Sequence, residues 1–420
     1  MVNLLWPGDN RAGELFSDGA VLESMLATEA AWSVALVAHG LAEESAAVSV
    51  HQLRELVSNT DIEELAVTSE IGGNPVIPLV SLLRKRLGEG PQARWLHRGL
   101  TSQDVLDTAL IRCANECFMD IGASLRTHIA SLVDVVHTYG EVETAAVTLT
   151  RFAVPMPLGL RIAHWIDGLI EAHDAVSRLV FPAQFGGAGG TSAAVVELAG
   201  GRDDPVDIAC EVTADAAAGL GLAAVAPWQT VRAPITALAD AATGCHDGWG
   251  HISNDVLIMG RSEIGQVSET YGGGSSAMPH KSNPALAVQI RRSARMAPLY
   301  AAQLHLAATD SADERSAGPW HTEWDTLRTL LRRTVVSGRQ LTDMLAGMTI
   351  DASHLQISEE TSVQMRSEQR VMARLRGHDG LVARPQAGDY LGAAQSYVAQ
   401  TLARAQVSLD DYRHQEEVSS

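Results

Sequence analysis

LGLRIAHWIDGLIEAHDAVSRLV, residues 158–180, sets Ile162, Ile166, Leu169, Val176 and Leu179 on one face at helical spacing. That face persists for about six turns at ~3.6 residues per turn. Such length exceeds an ordinary globular helix and predicts helices packed lengthwise in a bundle. SLRTHIASLVDVVHTYG (124–140) reads the same way, with Leu125, Ile129, Leu132 and Val136 recurring until Gly140 stops the run. Segments 285–308 and 322–347 repeat the period, and sustained strand alternation is absent. The fold class is therefore all-α.

Gly/Pro-rich breaks fall at 72–78, 182–191, 200–205 and 272–284, and the composition shifts again near 350. RPQAGD (384–389) precedes a last amphipathic helix. These breaks predict an N-terminal helical domain over 1–105, a long-helix domain over 106–348 and a C-terminal helical domain over 349–420.

A chain of 420 residues is long enough for two or three domains, and 46% hydrophobic with 5% aromatic content suits an Ala/Leu/Val-rich helical core. A net charge of −19 repels nucleic acid and anionic membranes, so neither is an expected partner. An anionic small substrate would need a local cationic pocket. Cys113, Cys117, Cys210 and Cys245 form no CxxC pair and no zinc set, and Cys113 and Cys117, one turn apart, read as buried thiols. MVNLLWPGDNRAGELF at the start has no signal-peptide pattern, and no apolar run is expected to span a bilayer. The reading is a cytoplasmic protein with no metal.

Residues 272–284 read GGGSSAMPHKSNP. Three glycines make a mobile loop. Asn283-Pro284 ahead of ALAVQIRRSARMAPLYAAQL is a helix start, with Asn as cap and Pro in the first turn. Backbone N–H groups and the helix dipole there favour an anion, and Lys281 adds a full charge. A substrate carboxylate is the simplest occupant. Serine beside such donors suits an alkoxide-like base, because removing a proton α to a carboxylate creates an enolate that needs the same donors. A surface loop that merely caps a helix is the competing reading. A phosphate loop needs Gly before Lys-Ser, where this chain has His280, and GGAGGT misses the dinucleotide fingerprint.

GSSAMPHKSNP (274–284) and HRGLTSQDVLDTAL (97–110) resemble, in the same order, two motifs of the fumarase/aspartase superfamily. GNPVIPLV (73–80), AQFGGAGGT (183–191), PWQTVR (227–232), ERSAGPWHTEWDTL (314–327) and DYLGAAQSYV (389–398) are most similar to its 3-carboxy-cis,cis-muconate cycloisomerases. The resemblance implies a three-domain fold whose central helices form one bundle in a homotetramer, with active sites shared by three subunits and no cofactor. It implies Ser275 as catalytic base, with Lys281 and Asn283 binding substrate and Thr101 and Ser102 gripping a carboxylate. The Thr101–Ser102 pair also suits the start of a helix. Gly73 and Asn74 fit a tight turn near ligand, His97 would line the pocket, and Arg315 of the Glu314-Arg315 pair would bind a carboxylate bidentately.

The superfamily's Thr-His pair is altered here. In AVTLTRFAVP (146–155) Thr148 is kept, Leu149 stands at the histidine position, and Arg151 replaces a common glutamine. Gln229 likewise sits in a motif that often reads PWHT. Arg151, Arg232 and Arg315 are candidate partners for the remaining substrate charge. The expected activity is interconversion of 3-carboxy-cis,cis-muconate and carboxymuconolactone, a small polycarboxylate pair of aromatic-acid catabolism. Rival readings are a nitrosuccinate-, adenylosuccinate- or argininosuccinate-type lyase, or a catalytically silent structural relative.

Overall fold

The computed structural model describes residues 3–270, 273–278, 280–377 and 390–419, without the side chains of 411–419. RPQAGD with Asp389, together with Gly272 and Pro279 of the serine loop, lies outside the described residues. The chain runs through α1 (Asp18–Ala38), α2 (Asn59–Gly72), α3 (Val76–Leu87), α4 (Ser102–Tyr139), the strands β1 (Glu143–Thr148) and β2 (Arg151–Pro157), and α5 (Leu158–Ser177). It continues with α6 (Pro205–Gly219), α7 (Ala233–Met259), β3 (Val267–Glu269), α8 (Ala285–Thr309), α9 (Pro319–Ala346), β4 (Met348–Ile350) and α10 (Ala394–Ser419), with shorter helices between.

The predicted helices form for the reasons read from their sequences. Leu125, Ile129, Leu132 and Val136 of α4 are all buried. Gly140 ends that helix by donating its N–H to the Val136 carbonyl at 2.8 Å, and a Cβ at this position would collide with the same oxygen. Ile162, Ile166 and Leu169 of α5 are buried too, but the helix stops at Ser177, leaving Leu179 beyond it. Ser17 and Ser58 start α1 and α2 by accepting the backbone N–H groups of Ala20 and Asp61. The fold is mostly helical, with two small antiparallel sheets that the sequence did not announce, β1–β2 and β3–β4.

The chain divides into two compact units. The first takes residues 1–120, 178–242 and 297–336; there α1 packs on α6, and Trp32 stacks on Phe185 with ring centroids 5.1 Å apart. The second takes residues 121–177, 243–296 and 337–420. In it α10 packs on α5, where Arg404 pairs with Asp167 at 2.8 Å and Glu171 at 2.6 Å. His128, Trp249 and His246 form its buried aromatic centre.

One expectation needs correction. Helix α1 is long and apolar enough to cross a membrane by length and composition, with a mean hydropathy of 1.4 over its best window. Two thirds of that window is buried in the core of the first unit, which explains the apolar content. Cys113, Cys117 and Cys245 are buried free thiols, and burial pushes Cys113 and Cys245 up to about 12; Cys210 is exposed.

Candidate active site

In the first unit, helix α4 begins immediately after Thr101. The Thr101 N–H donates to Asp104 Oδ2 at 2.9 Å, and the Asp104 N–H returns a bond to the Thr101 carbonyl at 3.0 Å. Asp104 is fully buried and also accepts from the N–H groups of Gly186 and Gly187 at 2.9 and 3.0 Å and from Gln184 Nε2 at 3.2 Å. One carboxylate thus ties the Gly-rich 186–190 turn to the Thr101–Ser102 turn. Burial pushes its carboxyl up to about 6, against N–H donors that favour the anion.

Arg315 meets the same turn. Its Nη2 donates to Thr101 Oγ1 at 2.7 Å, its Nε to Gln103 Oε1 at 3.2 Å, and its guanidinium lies 5.6 Å from the Trp320 ring centre. Gln103 in turn donates to Asp107 Oδ2 at 3.1 Å. Asp107 also receives Trp320 Nε1 at 2.8 Å and Arg232 Nη1 at 2.7 Å. Thr101 and Arg315 are therefore brought together.

Arg232 is a correction. It is buried, and its fork is engaged by Asp107 and, at 2.5–3.1 Å, by Glu323. Burial alone would lower its pKa, but the two carboxylates raise it, so it stays charged as the counter-ion of the core. A guanidinium committed to two buried carboxylates does not have a fork to offer substrate.

Gly73 closes α2 in the left-handed conformation (φ 71°), and Asn74 Oδ1 accepts the N–H groups of Val76 and Ile77 at 3.1 and 3.4 Å, starting α3. The tight turn is present, with Asn74 as its cap. His97, at φ 62°, binds Glu29 Oε1 of α1 through Nδ1 at 2.6 Å, and Glu29 is buried. His321 was missed in the sequence, although it lies in a quoted motif. Its Nε2 is 3.8 Å from where a Gly73 Cβ would sit, an approach that no local spacing signals.

In the second unit, Gly273 and Asn283 exchange both backbone hydrogen bonds at 2.8 Å and close the base of the serine loop. Ser275 Oγ accepts the N–H groups of Met278 at 3.1 Å and Ala277 at 3.3 Å. Donors to the oxygen favour its anionic form, which is what a serine base requires. Ser275 is half-buried and Lys281 is exposed. The expected anion site at the start of α8 is corrected: Glu269 accepts the N–H groups of Leu286 and Ala287 at 3.1 and 2.9 Å. Pro284 rather than Asn283 precedes the first helical residue. The protein's own carboxylate fills the role predicted for a ligand.

Thr148 and Arg151 face each other across the end of the β1–β2 hairpin. Leu149 and Thr150 form its two-residue loop with φ of 48° and 69°, and Leu149 is 96% exposed. Such a turn favours Asn-Gly, and a β-branched threonine there is strained. Separately, a cavity of 1410 Å³ in this unit is lined by Phe152, Arg161, His164, His251 and Leu355 among others, and by none of the predicted site residues. Among the described residues no group of three or more His, Cys, Asp or Glu is placed to hold a metal ion.

A lyase family model matches residues 13–297. The chain is 35% identical to a nitrosuccinate lyase of Streptomyces davaonensis, covering 86% of this chain and 77% of that protein. It is 34% identical to a 3-carboxy-cis,cis-muconate cycloisomerase of Bradyrhizobium diazoefficiens, covering 80% and 74%. The 3-carboxy-cis,cis-muconate lactonizing enzyme of Pseudomonas putida superposes with a TM-score of 0.79 at 26% identity, covering 94% and 97% of the two chains. A family match over most of the chain, close relatives and a shared fold agree: this chain belongs to the lyases of the fumarase/aspartase superfamily.

Proposed function

We propose that the enzyme interconverts 3-carboxy-cis,cis-muconate and its carboxymuconolactone, moving a proton α to a carboxylate while an internal carboxylate adds to or leaves the C=C bond. Leu149 is the observation that carries this reading. An amine leaving group needs a proton, and the imidazole of the superfamily's Thr-His pair is replaced here by an exposed alkyl side chain. A carboxylate departs as an anion, since its conjugate acid has a pKa near ~4. In this scheme Ser275 takes the proton, and Lys281, Asn283, Thr101, Ser102 and Arg315 hold carboxylates and enolate. Gly73, Asn74, His97, Thr148 and Arg151 line the substrate.

The same argument admits nitrite as the anion, and the likeness to the Streptomyces davaonensis nitrosuccinate lyase favours that second reading. The three-segment organisation (1–105, 106–348, 349–420), the homotetramer with shared sites and the cytoplasmic setting belong to the proposal too. Incubating the protein with carboxymuconate, nitrosuccinate, adenylosuccinate and argininosuccinate tests it. Turnover of the first with no cleavage of the last two is expected. Nitrite release from nitrosuccinate alone would transfer the assignment, and efficient fumarate release from adenylosuccinate would overturn both.

A further inference from the structure

Trp320 is a fixed platform in the first unit, because its indole N–H is anchored on buried Asp107 at 2.8 Å. Arg315 lies against it, with the guanidinium carbon 5.6 Å from the ring centre. His321 packs against the same indole at 5.3 Å and against Trp324 at 4.7 Å. Two nitrogen-bearing groups thus pack against one ring. Arg315 uses Nε and Nη2 on Gln103 and Thr101, and Nη1 keeps its donors. The His321 side chain makes no hydrogen bond among the described residues and is exposed. Packing alone explains a ring at this position, but not one whose Nε2 lies 3.8 Å from where a Gly73 Cβ would sit, with no other atom from beyond the adjoining residues within 4 Å of that point.

We propose that His321 is a substrate-binding residue that reads a second carboxylate, beside the one taken by Arg315 and Thr101, and so selects tricarboxylates over dicarboxylates. A neutral imidazole N–H suffices as the donor to a carboxylate. The inference rests on the reading of this site as one for polycarboxylates, but not on which reaction follows.

The test is calorimetric and needs no turnover. Propane-1,2,3-tricarboxylate and succinate are titrated into the wild-type protein, His321→Phe and His321→Asn. The Phe variant keeps the stacking on Trp320 and Trp324 and removes both nitrogens, while Asn restores a donor. Loss of a hydrogen bond to a charged group predicts roughly tenfold weaker tricarboxylate binding in His321→Phe. Succinate binding should stay within about twofold, and His321→Asn should recover part of the loss. Unchanged tricarboxylate binding, equal weakening of both ligands, or failure of the wild type to bind tricarboxylate would each overturn the proposal. If carboxymuconate is not turned over yet the discrimination appears, the assigned reaction falls and the role of His321 stands.

Discussion

Arg315 donates through Nη2 to Thr101 Oγ1 at 2.7 Å, so a guanidinium from the loop ahead of α9 rests on the residue that opens α4. The two side chains act as one unit, and their substitutions should not add. Thr101→Val is expected to lower kcat/KM about tenfold, and Arg315→Lys, which loses the planar fork, about 10²-fold. The double variant should fall well short of the product. Independent effects in the steady-state kinetics would separate the pair.

Removing Arg232 leaves Asp107 and Glu323 buried without their cation. Arg232→Met should cost about 3–5 kcal/mol of stability, with much of the loss recovered when Asp107→Asn and Glu323→Gln are added. Urea unfolding checks this. A rise in KM at unchanged stability would instead return Arg232 to the substrate.

Acid should unfold the second unit's core. Burial lowers His128 and His246 to about 3, so both are neutral when folded. The unfolded imidazoles take protons near pH ~6.5. Between those values unfolding binds protons, so stability is full above about 6.5 and falls as the pH drops, by about 1.4 kcal/mol per pH unit for each histidine. His128→Gln keeps a donor for the Gly338 carbonyl, which His128 Nε2 reaches at 3.0 Å. It should shallow the slope by about one proton. An unchanged slope between pH 4 and 6 would contradict the assignment.

The long helices were legible because their apolar spacing repeats over many turns, as Leu125 to Val136 illustrates. The hairpin was not, since β1 and β2 are short and their turn, Leu149-Thr150, lacks the Asn-Gly signature. Charge pairing was equally hidden. Asp107, Arg232 and Glu323 meet from three distant segments, and nothing local distinguishes Arg232 from Arg315, whose guanidinium meets Thr101 and Gln103 instead of carboxylates. Motif resemblance pointed to Thr101, Arg315 and Ser275 as candidates, while the bonds that Gln103 and Asp104 make to Arg315 and Thr101 emerge only from the fold.

The hairpin tip offers a direct test of strain kept for use. Replacing Leu149-Thr150 by Asn-Gly should raise stability by about 1 kcal/mol, since both residues have positive φ. If the tip serves the reaction, activity should fall while the melting temperature rises. Leu149→His should bring no gain in lactone chemistry. Higher activity in the Asn-Gly variant would assign the tip no catalytic part.

Ser275→Ala should keep ligand binding while kcat falls by at least ~10²-fold, the scale of losing a positioned base. Comparable turnover would move the role to Ser276. Hydrogen exchange over residues 273–278 and 280–282 should slow on adding a tricarboxylate.

Glu269 gives that loop a further property. Its carboxylate secures the first turn of α8, and the Gly273–Asn283 pair clamps the chain just before it. The helix start is therefore moored independently of what lies between residues 274 and 282. A segment pinned at both ends behaves as an exchangeable cassette, whose sequence can drift or be recombined without unravelling the scaffold. Grafting the corresponding stretch from a relative with another leaving group should leave folding intact and change only the chemistry.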